Sequence, residues 1–274
     1  MVFVGAYLGA PGSMRLFAHL KGSSSESSAR ASSSKVTLGG RQRVQVSPQV
    51  LREWSCSLPL ATPDESQHLK AISAGVFGLG PFAWVPVQAT ATNVLSLGAS
   101  MPGPSHRSWV GGGDAAGAWQ VPGLGLVRHS VIMDGSLVTL GSGTPVVPGL
   151  PVTGAVYVSG SASTVVSTQV LDATGAIIAS AAETVGASHE PRRFSTTIPS
   201  CPEQGVSARV RVVDGMQVGL PSISWTTRAA AWVPGGGSTQ VIVEGFDADV
   251  KHVSDWQGVL EDVSFTVKEL TSDA

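Results

Sequence analysis

Residues 41–96 read RQRVQVSPQVLREWSCSLPLATPDESQHLKAISAGVFGLGPFAWVPVQATATNVLS. Val44, Val46 and, after Pro48, Val50 alternate with polar residues, and Arg52 to Leu58 alternates around Trp54, Cys56 and Leu58. Alternation with period two marks half-buried strands. Thr62-Pro63-Asp64-Glu65 then forms a capping-box pattern. A threonine hydroxyl accepts from the N3 amide, proline suits the first helical position, and glutamate at N3 reaches back to the cap. The pattern predicts a helix from Pro63 to about Ala74, with Leu69 and Ile72 facing inward and Gly75 as the C′ residue. Gly80-Pro81-Phe82 turns the chain into a further strand. Phe82 and Trp84 share one of its faces, Ala83 and Val85 the other. Its expected pairing partner is the Arg52–Leu58 strand. No catalytic spacing occurs in this stretch.

Toward the N-terminus, MVFVGAYLGAPGSMRLF is apolar, and its first basic residue, Arg15, follows the apolar run. A signal peptide places positive charge before its apolar core, so a strand plus turn is expected here. Residues 22–34, GSSSESSARASSS, are low-complexity and serine-rich. Such a segment buries too little apolar area to offset its ordering entropy and is expected to be a flexible loop, ordered only against a partner. Toward the C-terminus, residues 98–117 turn rich in glycine, proline and serine. The expected organisation is therefore a mainly β chain. An α+β domain with one helix spans 1–98, a Gly/Pro-rich linker spans 99–117, and a β-sandwich or jelly roll spans 118–274.

The second domain is expected from short strand candidates at turn-punctuated spacing: Ala118–Val121, His129–Met133, Leu137–Thr139, Val152–Ser159, Val165–Leu171, Ile177–Ala181, Arg192–Ile198, Ser207–Val213, Ser222–Thr226, Ala229–Val233, Gln240–Glu244 and Val263–Glu269. Asp172-Ala173-Thr174-Gly175 and Val213-Asp214-Gly215 are the clearest turns.

Composition narrows the function. Charged residues make up 13% of the chain, about half the share of an average soluble domain. Such a neutral surface suits a subunit covered by neighbours, or a glycan binder. Net charge is −2 with no basic stripe in sequence, which argues against nucleic acid. No run of about 18 apolar residues occurs, so no transmembrane helix is expected. Cys56 and Cys201 are the two cysteines, read as buried small apolar side chains. The Gly111–Gly113 and Gly235–Gly237 triplets open no helix and read as loop glycines. No nucleophile elbow, zincin motif, paired-cysteine motif or phosphate loop is present. His19, His68, His106, His129, His189 and His252 lack ligand spacing. Asp247 with Asp249, and Glu261 with Asp262, read as solvated acids. No catalytic residue, metal or cofactor is expected. Tryptophan faces stack on sugars and anchor interfaces. Trp225 and Trp232 fall at strand positions and read as core. Trp84, Trp109 and Trp256 are the candidates for interface or glycan contact.

Two patterns together carry a family resemblance. The first is FVGAYLGAPGSM at residues 3–14, followed by the Thr62-capped helix and GPFAWV…TNVLS at 80–96. The second is AWVPGGGSTQVIVEGFDADV at 231–250 with LEDVSFTVKEL at 260–270. In these the chain resembles the minor tail proteins of tailed bacteriophages infecting actinobacteria, in which an attachment module precedes a jelly roll similar to carbohydrate-binding modules. The resemblance implies a structural, non-enzymatic virion component made in the host cytoplasm and placed at the distal tail or baseplate. Its implied partners are copies of itself in a hexameric or trimeric ring, closed by rotation, and other tail proteins, without membrane insertion. A carbohydrate-binding adhesin recognising host cell-wall glycans is the alternative function.

Overall fold

The structure, a computed structural model, describes residues 5–18, 24–29, 32–36, 40–46, 51–101, 109–110, 115–121, 123–131, 137–213, 217–254 and 258–270. The chain opens with β1 (Ala6–Gly9) and β2 (Arg15–Phe17), an antiparallel pair. Next come β3 (Ser24–Ala29), β4 (Ser32–Val36), β5 (Gln42–Val46), β6 (Leu51–Ala61) and α1 (Pro63–Ser73). A strand β7 (Phe82–Val85) and two short helices, α2 (Val87–Ala91) and α3 (Leu97–Ser100), complete the N-terminal part. The middle holds β8 (Trp109–Val110), β9 (Ala115–Val121), β10 (Gly125–Val131), β11 (Leu137–Pro145) and β12 (Val152–Gly160). It continues with β13 (Thr164–Leu171), β14 (Ile177–Val185), β15 (Ser188–Ile198), β16 (Ser207–Val213) and β17 (Gln217–Ser224). A long hairpin, β18 (Ser238–Ser254) and β19 (Gly258–Glu269), follows.

The α1 helix forms as its sequence dictates. The Glu65 amide donates to the Thr62 hydroxyl, and the Glu65 carboxylate accepts from the Thr62 amide at 3.0 Å. Pro63 occupies the first turn, Leu69 and Ile72 are buried, and Gly75 at φ 74° follows the C-cap Ala74. His68 lies between Phe17 and Phe77, with ring centroids 6.2 and 5.1 Å away, and its Nε2 is buried without a partner. Desolvation first, and then the positive charge of Arg15, push its pKa below the ordinary 6.5.

Seven strands form one antiparallel sheet in the order β2-β1-β7-β18-β19-β6-β3. Two expectations are corrected here. β7 does not pair with β6; its neighbours are β1 and β18. The second domain does not run to residue 274 either, because β18 and β19 insert between β7 and β6 as central strands of the N-terminal sheet. The N-terminal sheet is thus discontinuous in sequence, built from both flanks of the chain. Local alternation marks a strand but not its partner, and pairing across 217 residues, as between Arg52 and Glu269, leaves no local trace. The serine-rich stretch is also corrected. It forms β3, on the sheet edge beside β6, and β4, which pairs with β5. A ladder is satisfied by backbone groups alone, so serines suffice. The same hairpin leaves Val44 exposed where alternation predicts burial.

Faces of β1 and β7 separate two cores. Leu8, Phe82 and Trp84 join Trp54, Leu58, Leu69, Ile72 and Phe265 beneath α1. Tyr7 and Val85 point the opposite way, into a core shared with Ala89, Val94, Leu95 and the middle of the chain. There two five-stranded sheets stack, β15-β12-β17-β10-β9 over β14-β13-β16-β11-β8. Strands β10 to β17 divide between them as 10-17-12-15 and 11-16-13-14, the two Greek keys of a jelly roll. Val156 and Val158 of one sheet meet Val166, Val170, Val210 and Val212 of the other in this core. The Asp172 turn is as expected: its carboxylate accepts from the Thr174 and Ala176 amides, and Gly175 takes φ 84°. Ala229–Val233, expected as a strand, is irregular. Cys56 and Cys201 are buried free thiols, one in each core, pushed up by desolvation to about 12 and about 11.

The two parts are stitched at residues 235–237. A Cβ on Gly235 would stand 2.3 Å from the Leu95 and Ser96 carbonyls, and one on Gly237 would stand 2.1 Å from the Val94 carbonyl. Only glycine permits this approach. Amides of Gly236 and Gly237 donate to the Asn93 and Leu95 carbonyls. Beneath them Arg52, 3% exposed, donates through Nη1 to the Gly235 carbonyl and through Nη2 to that of Gly237. Its Nε and Nη2 reach both carboxylate oxygens of Glu269 at 3.2 and 3.0 Å. Glu269→Ala should cost about 3–5 kcal/mol in urea unfolding, since it strands a buried charge. The double change Arg52→Met/Glu269→Leu should cost clearly less. Equal costs would mean the pair is not desolvated as described.

His68 adds a pH dependence. Its neutral form is favoured in the fold, whereas the unfolded side chain titrates near 6.5. Below that pH the unfolded chain binds a proton the folded chain resists, so stability falls as pH falls. Above it the contribution is constant. His68→Phe should flatten part of the stability decline between pH 7.5 and 5.5, and an unchanged slope would remove His68 as the cause.

Candidate functional site

Alternation along β12 sends Val156 and Val158 into the jelly-roll core and Tyr157 to the opposite, outer face of its sheet. There Tyr157 joins Trp119, Val121, Leu220, Val127 and Trp232. A bulge shapes the floor: Ala155 pairs with Ser222 and Tyr157 with Gly219, so Leu220 and Pro221 together oppose Val156. Leu220 takes φ 52°, a conformation that costs a branched residue free energy and is held only by its surroundings.

The irregular segment after β17 crosses this face and carries Trp232 onto it. Nε1 of Trp232 donates to the Pro221 carbonyl at 3.2 Å. Asn93, fully buried, donates through Nδ2 to the Val233 carbonyl and accepts from the Leu95 and Ile223 amides. Arg193 of β15 holds the segment from below, donating to the Ala230 carbonyl and, at 3.1 Å, to the Ser222 hydroxyl. Burial lowers the Arg193 pKa, and its Nε is buried without a partner. At the other end Nε1 of Trp119 donates to Oε1 of Gln217 at 2.9 Å, and Ser159 donates to the same oxygen at 3.1 Å. The result is a half-open aromatic surface with Trp232 and Tyr157 partly exposed and Trp119 buried beneath. It offers apolar ring faces flanked by amide and hydroxyl groups, a combination suited to sugar rings and not to proton transfer.

Of the expected contact residues, only Trp84 has a described side chain, and it is not on this face. Trp84 is fully buried among Trp54 and the α1 contacts, so it faces no partner. Period two places it correctly on a face, but that face is covered by the chain's own helix. Trp109 lies in β8, with its side chain outside the described residues, and Trp256 lies outside them altogether. Trp225 is core as expected, edge-on to Tyr7 at 4.9 Å. Trp232 is not core, because its segment is no strand. The signal available for Trp119 and Trp232 was their aromatic character alone, since burial on a sheet's outer face depends on which loop crosses it.

Acidic residues sit on the long hairpin, away from this face. Glu261 accepts from Ser66 and Lys70, which lower its pKa, at a cleft of 320 Å³ lined also by Pro63, Gln67, Gly258 and Val259. Asp249 opposes Asp262 in register, with Lys251 paired to both. No cluster of three metal-ligating side chains occurs among the described residues. No helix among them is long and apolar enough to cross a membrane.

No family model and no curated protein matches the chain. Among solved structures it is similar to the enzymatically active domain of bacteriophage CBA120 tailspike protein 4, at 12% identity and TM-score 0.37, over 48% of this chain and 21% of that one. It is also similar to the CBM22-1 and GH10 modules of Clostridium thermocellum endo-1,4-β-D-xylanase 10B bound to xylohexaose, at 14% identity and TM-score 0.33, over 49% and 28%. A third is the BiXyn10A CBM1 without ligand, at 15% identity and TM-score 0.26, over 36% and 72%. The chain thus spans about a fifth of the tailspike domain and about a quarter of the xylanase. Likeness at this level carries no functional argument.

Proposed function

We propose that the chain is a structural component of a phage tail, in which the sheet and α1 form the attachment platform and the jelly roll is displayed from it. One observation carries this reading. The stretches that resemble minor tail proteins, at 3–14, the Thr62-capped helix and 80–96 on one side and at 231–250 and 260–270 on the other, lie far apart in sequence yet supply β1, α1, β7, β18 and β19 of a single sheet-and-helix unit. The jelly roll is an insertion between them. A position at the distal tail or baseplate, assembly into a ring of six or three copies, and a non-enzymatic role belong to the same reading. Immunogold electron microscopy of particles from the source lysate, with antibody against the jelly roll, should label the tail tip. Unlabelled particles would contradict the reading.

The aromatic outer face favours a second role, contact with neutral glycans of the host wall. Retention of the protein on host cell-wall material should fall about tenfold or more with Trp232→Ala, equivalent to roughly 1.4 kcal/mol. Retention that is absent, or indifferent to this change, would remove the glycan role and leave the structural one.

A further inference from the structure

The second jelly-roll sheet presents a different outer face. Along its central strand β16, Ala208, Val210 and Val212 enter the core, so Arg209 and Arg211 point outward together. Successive same-face positions on a strand are about 7 Å apart. Arg211 stands in register between Ser167 of β13 and Thr139 of β11, and Arg209 beside Gln169. Ser167, Gln169 and Thr139 are buried, so the arginine side chains lie over a floor of hydroxyl and amide groups.

Among the described residues no ion pair compensates the charges on this face. Arg209 uses Nε on the Gln169 amide oxygen at 2.9 Å. Nε of Arg211 is buried with no partner. Desolvation and the neighbouring Arg211 both lower the pKa of Arg209. Two like charges held side by side over a neutral floor are unfavourable unless an anion bridges them. Guanidinium groups keep their charge and bind phosphate or carboxylate through paired donors.

We propose that this face binds a hydroxyl-rich anionic polymer, a polysaccharide or polyol chain bearing phosphate or carboxylate groups. The sequence shows no basic stripe, because the two arginines become a pair only by strand alternation. An acidic peptide would add along a sheet edge, through backbone hydrogen bonds, and a protein partner would need apolar anchors near the centre of the contact. Serine, threonine and glutamine around the arginines instead supply partners for hydroxyl groups. An extended polymer with one charge per repeat could span both guanidinium groups.

The test uses the full chain in affinity electrophoresis through gels holding polyglycerol phosphate, polygalacturonate or neutral dextran. Polyglycerol phosphate or polygalacturonate should retard the protein, dextran far less. Which of the two retards more distinguishes phosphate from carboxylate. Arg209→Gln/Arg211→Gln should weaken retardation at least tenfold, and the surface control Arg192→Gln should not. Arg209→Lys/Arg211→Lys keeps the charge and should retain part of the binding, which separates loss of the site from loss of the fold. Raising salt from 50 to 200 mM should weaken binding severalfold. No retardation by either polyanion at low salt, or retardation unchanged in the Gln double variant, would overturn the proposal. So would tighter binding of polyglutamate or of a single-stranded oligonucleotide. Particle labelling reads the tail role separately, so failure here leaves that role standing.

Discussion

Arg52 and Glu269 form an ion pair with almost no access to water, and the architecture converges on it. Removing two charges from water costs several kcal/mol each, and only close geometry with further hydrogen bonds offsets that. Here the guanidinium meets both carboxylate oxygens and two glycine carbonyls, and its carbon lies 4.9 Å from the Trp54 ring centroid. Each partner comes from a different place: β6, the end of β19, and the strap leaving the jelly roll. The pair therefore fixes where the chain re-enters the platform after its long excursion. The strap in turn lies against residues 93–96, whose Asn93 binds the backbone of β17 and of the segment that follows it. Platform and jelly roll are thus joined through one continuous polar path as well as through the core around Tyr7 and Trp225.

Much of this was legible where structure is local. The α1 helix, its cap and its inward residues follow from Thr62-Pro63-Asp64-Glu65 and the spacing of Leu69 and Ile72, because a capping box is satisfied within four residues. The Asp172 turn and the faces of β7 follow for the same reason. What stayed hidden is non-local. Nothing around Val263 or Val241 announces that their strands separate β7 from β6. Gly235–Gly237 reads correctly as a loop, but the need for glycine at 235 and 237 comes from the carbonyls of residues 94–96, more than a hundred positions earlier. The candidate site was least legible of all. Trp84 carries the character of a contact residue yet lies under α1, while Trp232 becomes available only because its segment crosses a sheet instead of joining one.

The jelly roll presents two chemically distinct faces. One is aromatic and neutral, roofed in part by residues 226–233 and braced by Arg193. The other is lined by hydroxyl and amide groups around two arginines that form no ion pair among the described residues. A low overall charge hides this difference, since 17 basic and 19 acidic residues nearly cancel.

The central claim is that both flanks of the sequence make one cooperative platform, separate from the inserted jelly roll. Native-state hydrogen exchange resolved by segment measures this directly. The account predicts that amides of β18 and β19 share a common opening free energy with β1, β6 and β7, and that Glu269→Ala lowers protection across all of them together. If β18 and β19 instead open alone, or track β12 and β17 while β6 and β7 stay protected, the platform is not a single unit and the account fails.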